Sequence, residues 1–317
     1  MGASIKKFID LFSGIGGIRL GLSHRATCAY SCEIDKNAGI TYKANFNEDP
    51  YGDITTLDPK TLPPYDILTA GFPCQAFSVA GRRLGFEDTR GTLFFDVARI
   101  IKETTPEAFL LENVKGLVGH NKGDTFRTIQ DVLVDLGYQI HWDILSPHTH
   151  ANIPQNRERV FIVGFKTPVP FEFPDKIPLT VQWQDLIDEN RQDSRFYYNN
   201  PGSPSHVKIL DKVISKDSIY QYRRYYIREN KTGVCPTLTA NMGLGGHNVP
   251  LIRDSWGVRK LTPKECANFQ GFPQNFALPI IGQGSGDTYL YHQIGNSVCV
   301  PLIKKIATKL FEALEGK

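Results

Sequence analysis

The sequence predicts an α/β fold: a doubly wound, mostly parallel sheet joined to a smaller, irregular, β-leaning domain. Three observations carry this. Short β-type runs alternate with helical patterns as far as Phe165. From Lys166 to about Leu290 the alternation gives way to Pro-, Gly-, Asn- and Tyr-rich chain. Then "VPLIKKIATKLFEALEG" resumes a clear helix. Strand–helix alternation builds parallel sheets, and turn-rich chain without it does not. The expected division is 1–180, 181–290 and 291–317, with the last segment returning to the first domain.

In order, "KKFIDLF" is a strand, followed by a Gly-rich turn and the helical "IGGIRLGLSHR". "ATCAYSCEI" is a second strand before the helical "KNAGITYKANF". "YDILTAGFP", "EAFLLENV" and "YQIHWDIL" are further strands, separated by "TLFFDVARIIKE" and "TFRTIQDVLVDL". "RERVFIVGF" has no helix before it, which predicts an antiparallel insertion. In the final helix Leu302, Ile303, Ile306, Leu310, Phe311 and Leu314 share one face. That stripe needs a partner, and the first domain's sheet is the natural one. Trp142, Trp183 and Trp256 read as core residues.

At 317 residues, 41% hydrophobic and 22% charged, the chain has the composition of a soluble globular protein with a real core. No apolar run reaches the length of a membrane span, and "MGASIKKFIDLF" lacks a signal peptide's apolar core. Six cysteines without Cys-x-x-Cys spacing suit neither a disulfide scaffold nor a zinc site. His148, His150 and His247 lack partners at metal spacing, so no metal is expected. A net charge of +3 neither demands nor excludes nucleic acid, so any basic surface must be local.

Chemistry concentrates at strand ends. "DLFSGIGG" (Asp10 to Gly17) ends a strand and opens a helix, where glycines let the backbone turn tightly and approach a ligand. Glu33 ends the second strand, where a carboxylate can accept both ribose hydroxyls. Asp53, placed where the third strand begins or ends, can accept from an adenine amine. Arg19 stands where a dinucleotide G-x-G-x-x-G needs its last glycine, which favours an adenosyl ligand without a pyrophosphate. Cys74 follows a proline at the carboxyl end of "YDILTAGFP", where open α/β sheets bind ligands. Glu112 lies at the carboxyl end of the next strand. Gln155, Arg157 and Arg159 alternate, so all project to one face of an extended segment. Singly, Glu112 also reads as a helix cap and the two arginines as surface charges. Together they describe a nucleophile, an acid and paired guanidiniums.

"FIDLFSGIGG", "GFPCQAFS", "LENV", "QNRERV", "RKLTPKECANFQGFP" and "QIGNSV" resemble, in order and spacing, the motifs of bacterial DNA (cytosine-5)-methyltransferases of restriction–modification systems. The resemblance covers nearly the whole chain and departs at no catalytic position. It implies a Rossmann-like methyltransferase sheet, S-adenosylmethionine as cofactor, double-stranded DNA as substrate and a cognate restriction endonuclease acting on the same site. A monomer in the cytoplasm, associated with the nucleoid, is expected. Cys74 would be the nucleophile at cytosine C6. Glu112 would hold N3 and the amino group, Arg159 the O2 carbonyl, and Arg157 would support the site. Phe12, Gly14, Ile15, Gly16, Gly17, Glu33, Ile34, Asp53, Ile54, Pro73, Leu93, Asn296 and Val298 would line the cofactor pocket. Ser78, Arg82 and Arg90, in the Gly- and Arg-rich loop after Cys74, would grip phosphates as a lid.

The irregular middle corresponds to the family's target-recognition domain. There Arg224 and Arg228, among tyrosines, would meet DNA, as would the recurring pair Thr237 and Leu238. Its loops bear a slight resemblance to those of enzymes reading short GG…CC sites. A transfer RNA methyltransferase shares the motifs, but the Cys-Phe-Thr tripeptide of that branch is missing from the middle domain. A silent DNA-binding regulator would not need to retain Cys74, Glu112 and Arg159.

Overall fold

The computed structural model describes the chain except for residues 1–4, 74–92, 199, 201–202, 224–225, 243–248, 281–286 and 317. Its main elements, in chain order, are β1 (Lys6–Leu11), α1 (Gly17–Leu22), β2 (Ala26–Cys32), α2 (Lys36–Phe46), β3 (Ile67–Gly71) and α3 (Leu93–Thr104). There follow β4 (Ala108–Val114), α4 (Gly116–Gly119), α5 (Asp124–Asp135), β5 (Gln139–Leu145), α6 (Pro147–His150) and β6 (Arg159–Phe165). The remainder comprises α7 (Pro204–Lys212), β7 (Ile219–Tyr222), β8 (Ile227–Asn230), β9 (Pro250–Arg253), β10 (Val258–Lys260), α8 (Pro263–Phe269), α9 (Asp287–Asn296) and α10 (Val300–Leu314). Two compact units result: 1–145 with 158–175 and 302–317, and 146–157 with 176–301.

The first unit is built on a six-stranded sheet of order β2-β1-β3-β4-β6-β5. β2, β1, β3 and β4 run parallel, while β6 is antiparallel to both its neighbours, as its missing crossover helix required. The α/β reading of the sequence therefore holds. Alternation along the strands sends Ile9, Leu11, Leu68, Ala70 and Leu111 into one core with Phe94, Val97, Ile101, Phe126 and Ile129 of α3 and α5. Each fully buried leucine, isoleucine, valine or phenylalanine there contributes roughly 1.5–3 kcal/mol. α10 packs against α1 of the first unit. At Gly21 of α1 a Cβ would lie 2.4 Å from Ile303 Cγ2, so only glycine permits that approach. Near the helix's far end Arg25 pairs with Glu315 at 2.5 Å.

The second unit carries an antiparallel sheet of order β10-β9-β7-β8. Beside it lies a buried ionic cluster. Arg259, fully buried, donates to both Glu265 oxygens at 2.8 Å and to Asp254 Oδ2 at 2.7 Å. Glu265 also closes a capping box with Thr262 that starts α8. Removing either partner of such a pair would cost about 3–5 kcal/mol. α7, α8 and α9 make this unit more helical than its turn-rich sequence suggests.

Candidate active site

In the first unit the Gly-rich turn joins β1 to α1 through three left-handed residues: Phe12 (φ 56°), Gly14 (φ 53°) and Gly16 (φ 86°). That conformation is strained for a phenylalanine, and stored backbone strain concentrates at functional sites. The two glycines differ. A Cβ at Gly16 would strike Phe46 at 2.2 Å, whereas one at Gly14 would meet nothing within 4 Å among the described residues. Gly16 thus packs inward on α2, with Ile15 and Gly17 also buried, and Gly14 borders open space.

Glu33 holds the turn. Its Oε2 accepts from Gly14 N at 2.7 Å and its Oε1 from Asp35 N at 2.8 Å. Its own backbone bridges to Tyr51, with Glu33 N donating to Pro50 O at 2.8 Å and Gly52 N to Glu33 O at 2.9 Å. Burial raises the Glu33 pKa, and the two amides oppose that shift. Ile34, beside it, is 59% exposed, an apolar surface on which a flat ring can be laid. The open edge at Gly14, the carboxylate and the exposed apolar surface together fit an adenosyl group.

Asp53 is not at a strand end, a correction to the sequence expectation. It opens a turn in the long β2–β3 connection, and β3 starts only at Ile67. Thr55 donates both its N–H (2.9 Å) and its hydroxyl (2.8 Å) to Asp53 Oδ1, holding that carboxyl below its usual pKa. Ile54 is buried beneath it, and Leu93 is the first residue of α3.

At the sheet's carboxyl edge, register brings an acid and a base together. Glu112 pairs with Phe161, and Arg159 with Val114, so Glu112 and Arg159 are diagonal neighbours on one face. That separation is within reach of long side chains. Arg159 Nε lies 3.1 Å from Glu112 Oε1, with the two side chains only 14% and 11% exposed. A Cβ on Gly71, the neighbour of Glu112 on β3, would stand 3.6 Å from Glu112 Oε2. Asn113 Nδ2 donates to Phe72 O at 2.8 Å and so anchors the chain as it leaves β3 toward exposed Pro73. Cys74, Ser78, Arg82, Arg90 and Arg224 lie outside the described residues, as does His247.

Of the three alternating residues, Arg159 alone belongs to the first unit. Arg157 is buried in the second, donating to the carbonyls of Leu238 (2.6 Å), Gly295 (2.9 Å) and Ser297 (2.5 Å). Gln155 donates to Phe269 O at 2.6 Å. Leu238, expected at a DNA-facing loop, is instead fully buried, so its side chain is a packing residue. Thr237 donates its hydroxyl to Asn156 O at 2.6 Å, and Arg228 is exposed on β8. Asn296 is exposed at the end of α9, 3.1 Å from His292 Nε2, and Val298 is buried. Trp142 and Trp256 are 41% and 46% exposed, so of the tryptophans only Trp183 is core.

Two residues carry more than the sequence reading assigned them. Asn113 sits inside a motif read only for its glutamate. Asp10, which opens the Gly-rich motif, is fully buried, and burial pushes its pKa up to about 7 against the Thr69 hydroxyl at 2.8 Å.

The family model for C-5 cytosine-specific DNA methylases matches residues 6–312. Type II methyltransferase M.Bsp6I of Bacillus sp. (strain RFL6) is 46% identical over 313 residues, covering 96% of this chain and 98% of that relative. Type II methyltransferase M1.ScrFI of Lactococcus lactis subsp. cremoris is 42% identical over 315 residues, covering 98% and 79%. Among solved structures, the S. pombe Dnmt2 methyltransferase is similar with a TM-score of 0.73 at 20% identity, covering 98% of this chain and 99% of that one. That last likeness is one of fold.

Proposed function

The chain belongs to the C-5 cytosine-specific DNA methylase family and is a DNA (cytosine-5-)-methyltransferase, and we propose that it methylates a cytosine flipped out of a short, specific duplex site. The observation that carries this reading is the Glu112–Arg159 pair at the carboxyl edge of the sheet, two strand-ends from the Gly-rich turn. The cytosine ring offers a neutral N3, a 4-amino group and an O2 carbonyl, and this pair supplies a proton donor and a cation of matching chemistry.

Cytosine C5 is a weak nucleophile. Addition of the Cys74 thiolate to C6 forms a C–S bond and moves electron density to C5 and N3, an instance of covalent catalysis. Glu112 in its protonated form would supply a proton at N3 as that charge builds, and Arg159 would stabilise the O2 side. Arg159 is paired with Glu112 before substrate arrives, so the base exchanges one partner of that pair rather than ordering two mobile side chains. After methyl transfer, loss of the C5 proton and expulsion of the thiolate restore the aromatic ring. S-adenosylmethionine supplies an electrophilic sulfonium methyl when bound. Phe12, Gly14 and Glu33 would hold its ribose and methionine side, with Ile34, Asp53, Ile54, Pro73 and Leu93 around the base.

A base inside a duplex is out of reach of these groups, which requires flipping. Ser78, Arg82 and Arg90 would hold phosphates, and the segment 181–290 would read base edges with Arg224, Arg228 and Thr237 at its DNA side. Both relatives described above are Type II methyltransferases, which supports a restriction–modification role with a cognate endonuclease; such an enzyme would act in the cytoplasm at the nucleoid.

Bisulfite sequencing of plasmid DNA from cells expressing the chain should show one short sequence protected at a single cytosine. Cys74→Ser should abolish that protection while DNA binding persists, since a hydroxyl provides almost no alkoxide at neutral pH. Normal tritiated-methyl turnover by that variant would overturn the covalent mechanism.

A further inference from the structure

Arg99 projects from α3 toward the turn that carries Asp53. Its Nη1 donates to Leu57 O and its Nη2 to Ile54 O, each at 2.9 Å, and Nη2 also lies 3.3 Å from Asp96 Oδ1. The turn's own bonds gather at its first residue, where Thr55 donates its N–H and hydroxyl to Asp53 Oδ1 and Thr56 its N–H and hydroxyl to Asp53 O; beyond it only Leu57 N to Ile54 O, at a long 3.3 Å, closes the span. Ile54 is anchored in the core below, but the main chain on either side of it runs over the surface, with Thr55, Thr56 and Asp58 exposed. The guanidinium therefore ties together the two carbonyls that define the turn's span. Its planar fork suits two acceptors in one plane, which an ammonium cannot match.

A second observation concerns charge. Asp96, one helical turn before Arg99, faces the same turn. Burial raises its pKa, the bond from Arg99 opposes that, and the Asp53 carboxylate adds to the rise. Arg99 thus pairs with the Asp96 carboxylate while fixing the main chain that follows Asp53. α3 also begins at Leu93, so a single rigid helix presents two features to the same region.

We propose that Arg99 is a positioning residue for base selection in the cofactor site: it sets the height and angle of Asp53, and thereby the preference for an adenine amino group over a 6-oxo purine. The inference rests on the reading of Asp53 as the acceptor for the adenine amine. A carboxylate discriminates between an amino donor and a carbonyl only when its oxygen is held at hydrogen-bond distance, because the wrong base then faces like polarity. A turn that drifts keeps the charge and loses the choice.

The test uses the full chain and calorimetry with two ligands, S-adenosylhomocysteine and S-inosylhomocysteine. The unmodified protein should prefer the adenosyl ligand. Arg99→Met, which keeps the aliphatic stem and removes both donors, should bind S-adenosylhomocysteine roughly tenfold more weakly and lose most of the preference. Arg99→Lys, with one point donor, should fall between the two. Melting temperature should move little, because Ile54 still anchors the turn in the core. Full retention of the preference in Arg99→Met would overturn the inference, as would an equal weakening toward both ligands. Failure of the unmodified protein to distinguish the ligands would instead overturn the role of Asp53.

Discussion

Asp10→Asn should change stability in a pH-dependent way. Asp10 is fully buried, its Oδ1 accepts from Thr69 at 2.8 Å, and its Oδ2 has no hydrogen-bond partner among the described residues. Burial lifts its pKa from 3.8 to about 7, with Thr69 and Arg19 working the other way. Between those values the native state holds a proton that the unfolded chain has released. Stability therefore falls as pH rises from about 4 to about 7, and the loss is complete above the folded value. The interval corresponds to about 4 kcal/mol in all, of which roughly 2.5 kcal/mol falls between pH 5 and pH 8. Asn keeps the acceptor for Thr69 but points an amide donor where Oδ2 stood, at a pH-independent cost of about 1–3 kcal/mol.

The variant should therefore be close to the unmodified protein at pH 5 and more stable by about 1–3 kcal/mol at pH 8. Urea unfolding at several pH values measures this. Because the chain forms two units, the signal should come from Trp142 of the first, with Trp183 and Trp256 replaced by Phe. Two stability curves parallel in pH would refute the reasoning, since they would mean that Asp10 does not titrate differently in the two states.

Glu33→Gln leaves one acceptor for two backbone amides and sets an amide donor against the other. It should weaken S-adenosylhomocysteine binding at least tenfold in calorimetry without changing which DNA sequence is methylated; unchanged affinity would remove Glu33 from the cofactor site. Replacing residues 181–290 with the matching segment of a relative that has a different target should move methylation to that relative's site in a bisulfite assay. Arg157 and Gln155 bond there to main-chain carbonyls, which any replacement sequence also provides. An active chimera that kept the original target would place recognition in the first unit.

Much of the first unit was legible because its elements are long enough to show their period. Ile9 and Leu11 alternate with Phe8 and Asp10 along β1, and Phe94, Val97, Ala98 and Ile101 recur at helical spacing along α3. The antiparallel course of β6 followed from a missing crossover. The second unit was less legible. α8 has only seven residues, too few for a periodic stripe, and α9 contains polar residues that are buried, Asp287 and Gln293. Trp142 and Trp256 misled because a tryptophan's size says that it will be covered in part, not that it will be enclosed.

By itself the sequence determined the order of strands and helices, the Gly-rich turn, and the chemical types at the site: a thiol, a carboxyl and two guanidiniums. Those follow from local spacing, which one stretch of chain carries alone. Which groups meet is a property of register and packing. Glu112 and Arg159, distant in the chain, become neighbours only because β6 lies antiparallel to β4 with Glu112 opposite Phe161. Arg157, two residues from Arg159 and alike in sequence, is instead enclosed by carbonyls of Leu238, Gly295 and Ser297. Arg99 looks like an ordinary solvated charge on a helix until Ile54 and Leu57 present their carbonyls to it. Backbone acceptors have no sequence signature, since every residue carries one, so only the folded chain could assign these arginines their roles.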